Sequence, residues 1–362
     1  MKRPQNHKPE LSALNVLLCL LVIFIHVSSA PVTALYKDSW QYIAVLIPWR
    51  LSVFVVQGFL FLSGLKLFLN SRGEIRYKRF YLSRFIKIVV PYILWNVLYD
   101  LYFIHEGYFA FSWRSLGFSL ISGTLVSPFY FIVVLVQFYA LAPLWRWIVL
   151  KVPPRLALGF AVLITLVLEQ FLPDIITAIS PKTHFPYTDR VLTTYVFYWL
   201  SGCYAGLYYE KVTSFIKRHF ILIAAVFAAV SLLEAVFSVF AFSKARNIIW
   251  LEDWHFLYCS AAILFFWTLL SRFYTHRKIA NPLLNAVNAA SYDIFLMHCL
   301  IIFIVNDVMA QLGITGIAMT YLIRIAAVYV ITICLSILWG RLKGRIIKRL
   351  SSLRSRRTLP AK

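Results

Sequence analysis

Ten apolar stretches, each long enough to cross a bilayer, leave this chain little room to be anything but a bundle of membrane helices. About 20 residues span a ~30 Å hydrocarbon core. Runs of that order lie at 11–30, 51–69, 86–105, 129–149, 156–172, 191–208, 220–242, 254–271, 286–309 and 318–340. Inside a bilayer no water satisfies backbone N–H and C=O groups, so a lone apolar run of this length must bond within itself as a helix. Composition agrees: 61% of the residues are hydrophobic and 14% charged, against roughly 45–50% and about 25% in soluble domains. The expected fold is an all-α integral membrane protein. Residues 1–340 form the transmembrane unit and 341–362 a basic cytoplasmic tail.

A net charge of +22 raises the question of nucleic acid, which the placement of the charges answers. With the N-terminus in the cytoplasm, Lys and Arg crowd into 1–10, 72–84, 146–155, 211–218, 272–278 and 341–362. The outer segments hold Lys37, Arg50, Arg114, Lys182, Arg190, Lys244 and Arg246. This is the positive-inside pattern, and an even number of spans puts both termini inside. The basic excess is therefore a topology signal, and no nucleic-acid partner is expected. The first span has a rival reading as a signal peptide, with Ser28-Ser29-Ala30 as cleavage site. Pro31 would follow the cut, however, and the apolar run exceeds the usual ~7–15 residues. It is read as a retained helix.

Several chemistries are not indicated. The five cysteines all fall within spans and form no CxxC, so neither a disulfide framework nor a metal site is expected. There is no Walker loop, GxGxxG or HExxH. What remains is the polar content of the spans, where ionisable groups are costly and point to function. Asn15, Cys19, Val22 and His26 follow a 4-3-4 spacing that draws one stripe along a helix. That stripe should face protein or a cavity, with His26 in the outer half of the first span. In the ninth span His298 shares a face with Ser291. Position alone favours a packing role for both histidines.

Arg84 and Lys87 are three residues apart, hence neighbours on one helix face at the cytoplasmic mouth of the third span. They read either as a snorkelling anchor or as a cradle for an anionic ligand. Arg324 lies within the tenth span and needs a partner, with Glu234, Glu169 and Asp307 at suitable depth.

Several segments together carry a resemblance. ELSALNVLLCLLVIFIHVSS, with its histidine after an apolar run, resembles the first helix of the membrane-bound acyltransferase-3 family. FVVQGFLFLSGLKLF resembles the second, closing on Ser63-Gly64, and YKRFYLSRFIKIVVPYILW the basic RxxR segment leading into Pro91-Tyr92. PFYFIVVLVQFYALAPLW, FYWLSGCYAGLYYEKV and ASYDIFLMHCLII are similar to later helices. The segments keep family order from about residue 10 to residue 305, in the membrane-only form. The middle portion resembles the branch that contains the membrane protein of the intercellular polysaccharide adhesin system.

The resemblance implies transfer of an acetyl or succinyl group from cytoplasmic acyl-CoA, a co-substrate rather than a bound cofactor, to a hydroxyl of an extracytoplasmic polysaccharide. It implies a multi-pass protein of a bacterial cell membrane, working beside glycan synthases or export proteins. His26 matches the family's catalytic histidine, and a neutral imidazole can take the proton of an attacking hydroxyl. Arg84 and Lys87 match its donor-binding pair, Lys standing for Arg; Lys offers a point charge without the bidentate fork. Asn15, Ser291 and His298 are supporting candidates. One departure stands out: Ser12 and Asn15 occupy positions where the family carries Asp and Arg. The same branch also contains the alternative of a non-catalytic polysaccharide exporter or translocation partner.

Overall fold

Each long apolar run folds as a helix, and among the described residues every regular element is helical. The computed structural model describes residues 8–71, 75–179, 187–248, 250–276 and 281–357. Lys2, Arg3, Arg72, Lys182, Arg277, Lys278 and Lys362, which entered the charge argument, lie outside them, as does the side chain of Glu169. The helices are α1 (Pro9–Ala34), α2 (Trp40–Ser52), α3 (Val55–Ser71), α4 (Tyr77–Arg84), α5 (Val90–His105), α6 (Trp113–Ser122), α7 (Tyr130–Ala140), α8 (Ala142–Lys151), α9 (Pro154–Ile179), α10 (Val196–Leu207), α11 (Tyr209–Arg218), α12 (Phe220–Ser238), α13 (Leu251–His276), α14 (Pro282–Gln311) and α15 (Ile317–Arg357).

Seven helices or stacked helix pairs are single spans by length and apolarity, and two further pairs are bent by 56° and 63°. The architecture is that of an all-helical, multi-pass membrane protein. Outward-facing apolar residues such as Ile221 and Ile121, 84% and 79% exposed, are what lipid-facing helices present.

The spans differ from the sequence reading in detail. The second begins at Trp40, not 51. Ser39 starts it by accepting the N–H of Tyr42, and Arg50 is therefore a buried residue of α2 rather than part of an outer loop. The third runs from Tyr77 to His105 through a π-helical turn at Phe85–Val89. Pro91 supplies no N–H to the carbonyl four residues before it and its ring crowds that carbonyl, so the ladder widens there. The fourth is split into α7 and α8, with α6 and α7 making one bent pair. Beyond residue 340 the chain continues without a break as α15.

The sixth expected span is corrected most. It is the 12-residue α10, ~18 Å long at 1.5 Å per residue, and too short to cross a ~30 Å core alone. Its apolarity serves burial in protein: Val196, Trp199, Cys203 and Tyr204 are all shielded. Gly202 and Gly206 lie against the carbonyls of Phe61 and Leu65 on α3, and Gly64 against that of Trp199. A methyl group at any of the three would overlap backbone. Small residues four apart let two helices approach this closely in membranes.

Hydrogen bonds define the two ends of the bundle. Where α1 starts, Lys8 pairs with Glu210 at 2.8 Å and the Tyr209 hydroxyl donates to Glu10. Where α1 finishes, the 35–39 turn is tied to the end of α12. Ser243 donates to the carbonyl of Lys37 and Lys244 pairs with Asp38 at 2.6 Å. The Lys244 hydrogen bond holds the Asp38 carboxyl below its ordinary range, so the tie persists at neutral pH.

Between the ends, Arg50 of α2 donates from Nε to Glu234 of α12 at 2.7 Å, and His255 of α13 donates to the same oxygen from Nδ1 at 2.7 Å. All three are at most 6% exposed. Among the described residues Arg324 meets Asn306 Oδ1 at 2.7 Å, and no carboxylate. Glu234 is taken by Arg50, and Asp307 accepts from the hydroxyls of Tyr102 and Tyr108. The hydrogen bond that Tyr108, in the loop after α5, donates to Asp307, ahead of desolvation, pushes its phenol up to about 12.

Candidate functional site

The polar stripe of α1 meets its counterpart on α14. Asn15 Nδ2 donates to Asn288 Oδ1 and to Ser291 Oγ, each at 2.9 Å. Asn288 Nδ2 reaches back to Ser12 Oγ at 3.4 Å, and the Cys19 thiol points to the carbonyl of Ser291 at 3.6 Å. Cys19 and Val22 are buried. Ser12 and Asn15 therefore form an uncharged network complete with α14.

At the far end of that seam the two histidines come together. His26 and His298 have ring centroids 5.1 Å apart, tilted by 45°. His298 is fully buried. Its Nδ1 donates to the carbonyl of Phe295 at 2.8 Å, which leaves Nε2 as the lone-pair nitrogen, 3.4 Å from the Cys299 sulfur. His26 is partly exposed, and neither of its ring nitrogens takes a hydrogen bond among the described residues. It is the member of the pair that keeps some exposed surface.

His26, His298 and Cys299 offer donor atoms within 4.8 Å of one another. That set could hold a soft-to-borderline metal ion, which no motif in the sequence suggested. The cysteines themselves are all free thiols.

The basic pair lies at the opposite end, where α1 starts. Arg84 and Lys87 line one cleft of about 320 Å³, together with Arg76, Arg79, Ser83 and Leu67 of α3. Arg84 ends α4 and Lys87 lies within the π-helical turn that follows, and both line it. The guanidinium of Arg84 sits 4.6 Å from the ring of Tyr139 and 5.2 Å from that of Phe80, and its Nε is buried with no acceptor among the described residues. Aromatic faces hold the cation in place while its N–H groups stay available. Arg76 and Arg79 were legible in the sequence only as topology charges. What makes them cleft residues is the packing of α4 against α7, with Leu67 of α3 on the same wall. Among the described residues four cations and no carboxylate line this cleft, an arrangement suited to a polyanion.

Comparison with known families gives a match to the acyltransferase domain, as represented by the acyltransferase-3 family model, over residues 9–341. Comparison with curated proteins gives no match, and neither does comparison with solved structures.

Proposed function

Since the chain belongs to the acyltransferase-3 family and is a membrane acyltransferase of non-aminoacyl groups, we propose that it moves an acetyl or succinyl group from acyl-CoA to a hydroxyl of a surface or exported polysaccharide. The observation that carries this reading is the histidine pair: an accessible His26 with both nitrogens uncommitted, backed by a buried His298 of fixed orientation.

The cleft of Arg76, Arg79, Arg84 and Lys87 receives the phosphates of the donor. Charge-assisted hydrogen bonds from guanidinium and ammonium to phosphate are roughly twice as strong as neutral ones. We place this end of the bundle in the cytoplasm with both termini, in ten crossings that count α10 with its flanking turns as one. His26 stands 17 residues into α1, ~25 Å from the cleft end at 1.5 Å per residue. It therefore lies beyond the middle of the membrane, toward the acceptor side.

The step itself balances within these groups. His26 takes the proton of the acceptor hydroxyl as its oxygen attacks the thioester carbonyl. The tetrahedral intermediate collapses with loss of the CoA thiolate, which recovers the proton. A C–S bond breaks and a C–O bond forms. General-base assistance of this kind is worth about 10²–10⁴-fold, and His298 contributes by fixing the wall against which His26 is oriented. Transfer of labelled acetyl from acetyl-CoA to surface glycan, compared between the native chain and His26→Ala, tests the reading. Equal rates would end it.

A further inference from the structure

A second cavity, of about 190 Å³, lies beside the Arg50–Glu234–His255 cluster and shares no lining residue with the basic cleft. It opens between the α2–α3 junction, the 188–195 segment and the first turns of α13. Neither His26 nor His298 lines it. Its volume far exceeds the ~10–15 Å³ that one water requires.

Three features of the wall specify a ligand. Gln57 Oε1 and His255 Nε2 are shielded and take no hydrogen bond from the described protein, although both residues line the cavity. His255 is 5% exposed and its Nδ1 is already committed to Glu234, so Nε2 is left as an unpaired lone-pair nitrogen in a residue of the cavity wall. Polar atoms so placed are costly unless something else bonds to them. Next, the charges on the wall are mixed: Arg50 stands with Asp189 and Glu252, which disfavours both a polyanion and a simple cation. Last, Tyr130, Tyr195 and Phe256 supply aromatic faces beside these acceptors.

We infer that this cavity holds one neutral, polyhydroxylated ring: a sugar residue of the acceptor glycan, next to the one that is acylated. Sugar hydroxyls are donors that carboxylate, amide and imidazole acceptors can divide among themselves, and the C–H faces of a pyranose pack on aromatic rings. Arg50 is held on both sides, at 2.7 Å by Glu234 and at 3.1 Å by Glu252, so the wall is rigid before the ligand arrives. Its walls α2, α3 and α13 all pack on α1, the helix that carries His26. This assignment rests on the acyl-transfer reading for its ligand, but not for its geometry.

The test uses the full chain in lipid nanodiscs and three probes, neutral trisaccharides of glucose, galactose and N-acetylglucosamine. At least one should bind saturably to the native chain. Gln57→Leu, which keeps the shape and deletes an unpaired acceptor, should weaken that binding at least tenfold while thermal stability holds or rises. Glu252→Gln should weaken it as well. A native chain that binds none of the three overturns the assignment, as does unchanged affinity in both variants. His26→Ala should bind the trisaccharide normally. If His26→Ala abolishes transfer and no trisaccharide binds the native chain, the cavity assignment alone falls. If the trisaccharide binds as expected and His26→Ala transfers normally, the general-base reading alone falls.

Discussion

His26 and His298 lie ring against ring, centroids 5.1 Å apart, yet they differ in what their nitrogens do. His298 spends Nδ1 on the carbonyl of Phe295 and is closed to solvent, whereas His26 keeps both nitrogens uncommitted and its edge accessible. The division suits a reacting base and a positioning partner. It also makes the roles separable by substitution.

His26→Ala and His26→Gln should both lower acyl transfer by at least ~10²-fold, with protein abundance unchanged, since Gln keeps a hydrogen bond but no basicity. His298→Gln should lower kcat less and leave donor affinity alone. Single-turnover acyl transfer separates these outcomes; a fully active His26→Gln would remove the histidine from the chemistry. Loss of glycan export in folded His26 variants would favour the exporter reading instead.

Donor binding should depend on the cationic cleft. Replacing Arg84 and Lys87 together by Gln should raise the acyl-CoA dissociation constant by about tenfold or more, and Arg76→Gln with Arg79→Gln should add to it. Raising ionic strength should weaken binding in the native chain, because partly exposed charges are screened. Titration of acyl-CoA into nanodiscs reads both effects, and affinity indifferent to the four substitutions would return them to anchoring helix α4 at the headgroups.

Breaking the buried ion cluster should be expensive. Glu234 is fully buried between Arg50 and His255, so Glu234→Ala strands a buried cation, at a cost of about 3–5 kcal/mol. The joint replacement Arg50→Met with Glu234→Leu should recover much of that loss. Thermal unfolding in one detergent compares the three, and a single variant as stable as the native chain would contradict the cluster's geometry.

Close packing of α10 on α3 makes a sharp contrast among glycines. Gly202→Val must push against the backbone at Phe61, and overpacking of this kind costs about 1–3 kcal/mol or more. Gly159→Ala, in open space on α9, should be neutral or stabilising by up to ~1 kcal/mol. Membrane abundance and unfolding temperature should rank the two in that order.

The proposed topology expects a reporter at Lys182 or Lys244 to read as extracytoplasmic and one at Arg277 as cytoplasmic. The opposite pattern in cysteine-accessibility labelling would reverse the bundle and put the cationic cleft on the wrong side for acyl-CoA.

Much of this was determined locally, and so was legible in residues alone. The length of an apolar run decides whether a helix can cross a bilayer, and the 3.6-residue period decides that Asn15, Cys19, Val22 and His26 share a face. The proximity of Arg84 and Lys87 was visible for the same reason. What tertiary structure alone decided are contacts between segments far apart in the chain. His298 closes on His26, and Asn288 and Ser291 complete the network that begins at Ser12 and Asn15. Glu234 goes to Arg50 and His255 instead of Arg324, because polar partners are chosen by which helices become neighbours. The sixth span shows the limit most plainly. Its hydrophobicity reads as a span, but an apolar residue is equally content against protein, and the tight fit of Gly202 and Gly206 buries the 12-residue α10 against α3.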